Sequence, residues 1–121
     1  MEKYVAEKAI AEGYLDEMLE AERKRDFGAW SKRWEASDLE GLDEDVFQRD
    51  LDDMDRVLGA YRSRFYFGVL KGTKDVSQEN DTSVSLKFVW RMIYEKNEAL
   101  SVVGIRKRDG RWIPCKNACQ L

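Results

Sequence analysis

Hydrophobic side chains recur at helical spacing in the first half of the chain and at strand spacing in the second half. Steps of three and four residues along 3–24, 27–34 and 43–58 are typical of amphipathic helices and predict three N-terminal helices. The predicted apolar stripe of the first helix consists of Val5, Ala9, Tyr14, Met18 and Ala21, widened by Ile10 and Leu15. That of the third helix consists of Phe47, Leu51, Met54 and Leu58, and it continues to Tyr61.

The period falls to two residues after Gly59, which indicates β-strands. Asp109-Gly110 is the signal of a tight hairpin, and Pro114 predicts that the last strand lies at a sheet edge or ends there. The predicted strands cover 61–72, 84–96, 99–108 and 111–116, with a polar loop at 73–83 and a turn at Asn97–Glu98.

Caps and charges support this order of elements. Asp26 and Asp43 stand where helix N-caps are expected, and Ser37 with Glu40 fits a capping box. Residues 1–60 contain nine basic and eighteen acidic residues, a net charge of −9, whereas residues 61–121 contain twelve and six, a net charge of +6. We therefore predict a single domain over 1–121 with an α+β fold, in which three N-terminal helices pack on a curved, mostly antiparallel sheet of four or more strands.

Composition excludes several classes of function. The 121 residues include no histidine, which excludes a histidine–aspartate catalytic dyad, and only two cysteines, Cys115 and Cys119. Two thiols make a poor zinc site, so we expect no metal and no cofactor, with free thiols unless a turn brings them together as a disulfide. The modest positive charge of the second half does not favour nucleic acid. No segment is suited to a membrane span or a signal peptide, so we expect a cytoplasmic protein unless a leader precedes this sequence.

Three segments, taken in order, resemble the NTF2-like superfamily, which is also described as SnoaL-like or cystatin-related. They are "DFGAW" after the long first helix, "GAYRSRFYFG" after the third helix and "RKRDGRWI" in the last hairpin. The resemblance covers nearly the whole chain and implies a cone-shaped half-barrel closed by helices, with a pocket in the cone and a dimer of sheets packed back to back. Relatives include isomerases, cyclases, dehydratases and hydrolases as well as non-enzymatic modules, so the resemblance alone does not decide function.

The candidate pocket combines aromatic residues with one arginine. These residues are Tyr14, Trp30, Trp34, Arg64, Tyr66, Trp90 and Tyr94. The tryptophans and Tyr94 are equally suited to filling the core between helices and sheet, which is the commoner role of large rings. Arg62, Arg64 and Arg91 either pair with carboxylates or hold an anionic ligand.

We expect non-catalytic binding of a small apolar or weakly acidic ligand, or of a partner protein. The alternative is a cofactor-independent isomerase, cyclase or hydrolase, in which a carboxylate base works opposite a tyrosine. Asp16 and Asp26 are the nearest bases by position. A buried, unpaired carboxylate opposite a tyrosine would favour the enzyme, and an aromatic cavity without acids would favour binding. A packed cone would leave a structural protein.

The second strand predicts a further contact surface. Val84, Leu86, Phe88, Trp90, Met92 and Tyr94 form a wholly apolar face. The opposite face is half apolar, whereas a sheet with one face in water alternates more cleanly. We therefore expect a homodimer through the back of the sheet, around Val89, Arg91 and Ile93.

Overall fold

The computed structural model describes residues 4–32, 34, 39–72 and 85–114. The helices are α1 (Val5–Lys24), α2 (Phe27–Ser31) and α3 (Glu44–Val57), and the strands are β1 (Tyr61–Gly72), β2 (Ser85–Tyr94), β3 (Glu98–Arg108) and β4 (Arg111–Pro114). The α+β class and the order of elements are confirmed, although α2 is shorter than predicted. The predicted loop at 73–83, Ser37 of the capping box and both cysteines lie outside the described residues.

The two predicted aspartate caps begin helices. The Asp26 carboxylate accepts a hydrogen bond from the Ala29 N–H at 3.1 Å, and the Asp43 carboxylate accepts one from the Val46 N–H at 2.9 Å. Each contact satisfies a backbone donor that has no partner inside its own helix.

The strands form one open antiparallel sheet in the order β1-β2-β3-β4. Asp109 and Gly110 turn between β3 and β4 with φ of 51° and 79°, as the hairpin signal predicts. The other hairpin turns slightly earlier than predicted, at 95–97, because Glu98 already belongs to β3. β4 is an edge strand, which suits Pro114.

The core lies between α1 and one face of the sheet, which we call the front face. Its buried members are Ala11 and Leu15 from α1 with Leu86, Phe88, Trp90, Met92, Val103 and Ile105 from the sheet. The predicted stripe of α1 is therefore partly wrong, since Val5 is 59% exposed and Ile10 is 38% exposed. The helix has more apolar residues than one face can bury. The face that contacts the sheet contains Ala11 and Leu15, which lie four residues apart and are both buried.

A β-bulge changes the alternation predicted for β1. Tyr66 pairs with Trp90 but Gly68 pairs with Val89, so Phe67 is an extra residue in the strand. Beyond the bulge, Val69 packs against the core while Phe67 is 63% exposed, although strict alternation would put them on the same face.

The end of α3 is tied to the turn between β2 and β3. The Lys96 N–H donates to the Leu58 carbonyl at 2.8 Å, and the Asn97 side chain donates to the Val57 carbonyl at 3.2 Å. Gly59 follows with φ of 77° and lets the chain enter β1 at once. These contacts hold α3 beside the end of the sheet where β1 begins and β2 ends.

Candidate functional site

A groove of about 900 Å³ lies between the C-terminal half of α1, α3 and the adjoining ends of β1 and β2. Its volume is in the range of small-molecule sites. The apolar and aromatic part of its wall consists of Leu19, Leu51, Met54, Tyr61 and Tyr94. Seven of the fifteen lining residues are charged, and six of these seven are in ion pairs. The groove can therefore hold a hydrocarbon or aromatic group on its apolar part and recognise a polar end beside it.

Glu22 is the carboxylate in this wall that has no cationic partner among the described residues. It follows Leu15 and Leu19 at helical spacing, which turns it toward the sheet, and its side chain is partly buried. Within the described part of the chain it forms no ion pair with lysine or arginine. Burial raises the pKa of Glu22 to about 7, and a polar contact with the Trp30 indole offsets only part of that effect.

Two tyrosine rings lie at the same end of the groove as Glu22. Tyr61 and Tyr94 are paired across β1 and β2, with ring centroids 5.9 Å apart and planes at 69°. Burial raises the pKa of Tyr94 above its ordinary value, and the nearby charges of Glu22 and Tyr61 add to this effect. Glu22 and Tyr94 are thus close enough for their charges to interact.

The arginines of the groove are held by carboxylates. The ion pairs are Arg23 to Glu20 at 2.6 Å, Arg25 to Asp52 at 2.8 Å and to Asp55 at 3.0 Å, and Arg64 to Glu12 at 3.1 Å and to Asp16 at 2.7 Å. Hydrogen bonds from Arg23 and Lys24 lower the pKa of Glu20 to about 2. Arg62 pairs with Glu95 at 3.1 Å, and Arg91 pairs with Glu98 at 2.6 Å. All three arginines considered from the sequence as an anion site are therefore in ion pairs within the chain.

Of the seven candidate pocket residues, Arg64 and Tyr94 line this groove. Trp30 lies behind it, where its indole contacts Glu22. Trp30 and Trp34 belong to an aromatic cluster of the helices, with ring centroids 5.9 Å apart, and Phe47 lies 5.4 Å from Trp30. The structure thus places two of the seven residues in the groove wall and a third, Trp30, against Glu22 behind it.

Tyr14 on α1 and Tyr66 and Trp90 on the front face lie away from the groove. The Tyr14 hydroxyl donates to the Trp112 carbonyl at 2.9 Å, which fastens α1 to β4. Trp90 is 1% exposed in the core, and the Tyr66 ring lies 5.5 Å from it under the Lys8 ammonium group. These residues hold helix and sheet together.

Sequence reasoning missed Glu22 and named other acids as candidate bases. Asp16 does line the groove, but it is exposed and pairs with Arg64, whereas Asp26 is the cap of α2. Helical spacing contained the missing signal, because Leu15, Leu19 and Glu22 share one face of α1. A glutamate that continues a buried apolar stripe is the feature to look for.

The face of the sheet that points away from the helices, the back face, exposes an apolar patch. Cross-strand register puts Phe65, Arg91 and Leu100 in one row, with Phe65 57% exposed and Leu100 58% exposed. Val89 and Ile93 are partly buried beside this row, and Arg91 is exposed. Phe67 and Leu70 extend the patch along β1.

Similarity to known proteins does not indicate a function for this chain. No protein-family model, curated protein or solved structure matches it. No helix among the described residues is long and apolar enough to cross a membrane. The same residues contain no group of three or more acidic or cysteine side chains arranged to hold a metal ion.

Proposed function

We propose that this protein binds a small, largely apolar molecule in the groove between α1, α3 and the sheet, and does so without catalysis. The observation that carries the proposal is a groove of about 900 Å³ whose aliphatic and aromatic surface lies beside charged groups, most of them fixed in ion pairs. This combination is typical of small-molecule sites. An NTF2-like cone, which the sequence resembles, remains the proposed fold family, and a pocket at this position suits it.

An NMR fragment screen tests the binding function. Aromatic fragments of positive, neutral and negative charge would be added to isotope-labelled protein, and amide shifts would be followed in α1, α3, the start of β1 and the end of β2. We expect the shifts to cluster around Leu19, Met54 and Tyr61. If no fragment moves these signals, or if all shifts fall on other surfaces, the binding proposal is wrong.

A second candidate is cofactor-independent proton-transfer chemistry, in an isomerase, cyclase or hydrolase. The observation in its favour is the partly buried Glu22 carboxylate near Tyr94, since a base with a pKa of about 7 is suited to accepting a proton at neutral pH. The Tyr94 hydroxyl would stabilise the developing oxyanion of the substrate.

Deuterium exchange separates this candidate from simple binding. The protein would be incubated with 2-tetralone in D₂O, and exchange at the carbon next to the carbonyl would be followed by NMR. An enzyme of this kind accelerates exchange, and both Glu22→Gln and Tyr94→Phe abolish the acceleration. Exchange at the rate of buffer alone would leave binding as the function.

We also propose that two copies of the chain associate through the back face, around Val89, Arg91 and Ile93. The exposed rings of Phe65 and Phe67 and the exposed Leu100 support this partner, because water-exposed apolar patches commonly mark contact surfaces. Three strands of ten to twelve residues and the four-residue β4 make a face of roughly 500 Å², somewhat below the roughly 800 Å² per partner of standard interfaces. The back face of a second copy is a suitable partner, because it presents the same exposed apolar side chains.

A further inference from the structure

Among the described residues, one carboxylate of the groove wall has no basic partner. Asp16, Glu20 and Asp55 of the wall are in ion pairs with Arg64, Arg23 and Arg25, and pairs with Glu12, Lys24 and Asp52 extend these clusters outside the wall. The three paired acids and three arginines of the wall balance, and Glu22 makes its net charge negative. An anionic ligand would have to displace carboxylates from the arginines, whereas a cationic ligand meets a charge that the chain leaves open.

The surroundings of Glu22 suit a cation. The rings of Tyr61 and Tyr94 line the same groove and stand at 69° to each other, which gives two adjoining aromatic walls. Aromatic faces attract ammonium groups, and the attraction is stronger where water is partly excluded. Leu19, Leu51 and Met54 supply the apolar surface beyond these rings.

We infer that the ligand of this groove is a small amine, whose protonated nitrogen pairs with the Glu22 carboxylate beside Tyr61 and Tyr94 while its hydrocarbon part packs on the apolar wall. The inference rests on the proposed binding function and adds the chemical class of the ligand. It departs from the weakly acidic ligand expected from the sequence, because the arginines that suggested an acid are in ion pairs.

The affinity for the amine would then depend on the protonation state of Glu22. The groups that face Glu22 are the ion pairs of α1, α3 and β1 described above and the tyrosines of β1 and β2. With a pKa of about 7, Glu22 is mostly neutral at pH 5 and mostly charged at pH 8. Since the amine needs the charged form, its affinity rises with pH across this interval, and at pH 5 it falls by more than about tenfold because only a small fraction of the protein is competent.

Three probes of matched shape test the charge of the ligand. They are 2-phenylethylamine, 2-phenylethanol and phenylacetate, which share one ring and differ in charge. At pH 8, calorimetry and NMR should show that the protein binds the amine at least about tenfold more tightly than the alcohol, and phenylacetate most weakly. At pH 5 the amine should bind no more tightly than the alcohol. Equal or tighter binding of the alcohol or of phenylacetate in the groove would overturn the amine inference and leave the binding function standing.

Matched variants assign the effect to Glu22. Glu22→Gln keeps the size of the side chain and should remove both the advantage of the amine and its pH dependence. Glu20→Gln, in the same wall but at an acid already paired with Arg23 and Lys24, should keep both. Unchanged amine affinity in Glu22→Gln would overturn the inference, whereas a groove that binds none of the fragments would overturn the binding function itself.

Discussion

At the scale of the residue, Glu22 destabilises the fold whenever it is charged. Its pKa is raised from 4.5 to about 7 in the folded protein, because burial disfavours the carboxylate. Neutral Glu22 therefore makes its full contribution to the free energy of unfolding below pH 4.5, and this contribution is lost as the pH rises through about 7. Over that interval the loss amounts to at most about 3 kcal/mol.

Glu22→Gln should remove this loss. We expect the variant to be more stable than the wild-type protein above pH 7, by about 1 to 3 kcal/mol, and to show no advantage at pH 4. Urea unfolding at a series of pH values measures the difference. Glu20→Gln is the control, since Glu20 is exposed and its pKa is lowered, and the same gain in both variants would contradict the assignment to Glu22.

The site was predictable only where single residues followed an obvious pattern. Arg64 and Tyr94 were found from their places on strands, because alternation fixes which face a strand residue occupies. Glu22 was missed because a glutamate among the acidic residues of α1 reads as part of a solvated face. Its burial depends on how α1, α2 and the sheet meet: Trp30 follows on the next helix, and Tyr94 comes from a distant part of the sequence.

At the scale of the element, the junction between α3 and β1 positions one wall of the groove. Gly59 has a φ of 77°, and a Cβ at this position would lie 3.0 Å from the side chain of Glu95. Both features require glycine, the first because of the backbone conformation and the second because of space. The close approach follows from the contacts between the end of α3 and the turn at 95–97.

Gly59→Ala should therefore destabilise the protein more than Gly41→Ala. Gly41 also has a positive φ, 79°, but an added Cβ would meet no described atom within 4 Å. We expect a loss of about 1 kcal/mol for Gly41→Ala, from the backbone alone, and about 2 kcal/mol or more for Gly59→Ala. Thermal and urea unfolding provide the comparison, and equal losses would mean that the junction is looser than described.

The positions of the strands were easier to predict than the side of the sheet on which each side chain lies. The change of period after Gly59 located all four strands, and Asp109-Gly110 located the last hairpin. The bulge at Phe67 was missed, because alternation from Arg62 to Val69 looks unbroken in the sequence. Gly68 was the available sign, since glycine within a strand often accompanies a bulge.

At the scale of the whole molecule, the opposite charges of the two halves meet as the sequence predicts. Arg64 of β1 reaches Glu12 and Asp16 of α1, and Lys96 reaches the last carbonyls of α3. This arrangement covers the front face with acidic helices. The back face, with its exposed apolar patch, is left to the proposed second copy.

Sedimentation tests the proposed dimer. At tens of micromolar the wild-type chain should sediment as a dimer. Leu100→Lys should sediment as a monomer, because it removes an apolar side chain from the row and puts a second cation directly beside Arg91. Val5→Lys is the matched control, since Val5 is equally exposed, at 59%, but lies on α1. A monomeric wild-type protein at these concentrations would defeat the proposal.

An NMR titration of the Glu22 carboxyl carbon from pH 3 to pH 9 shows directly whether the groove holds an open charge. We predict a midpoint near 7, against 4.5 for a free glutamate, and a lower midpoint when 2-phenylethylamine is present. A midpoint near 4.5 that the amine does not move would contradict this prediction, because Glu22 would then be a solvated or paired acid and the groove would have no open charge for a ligand.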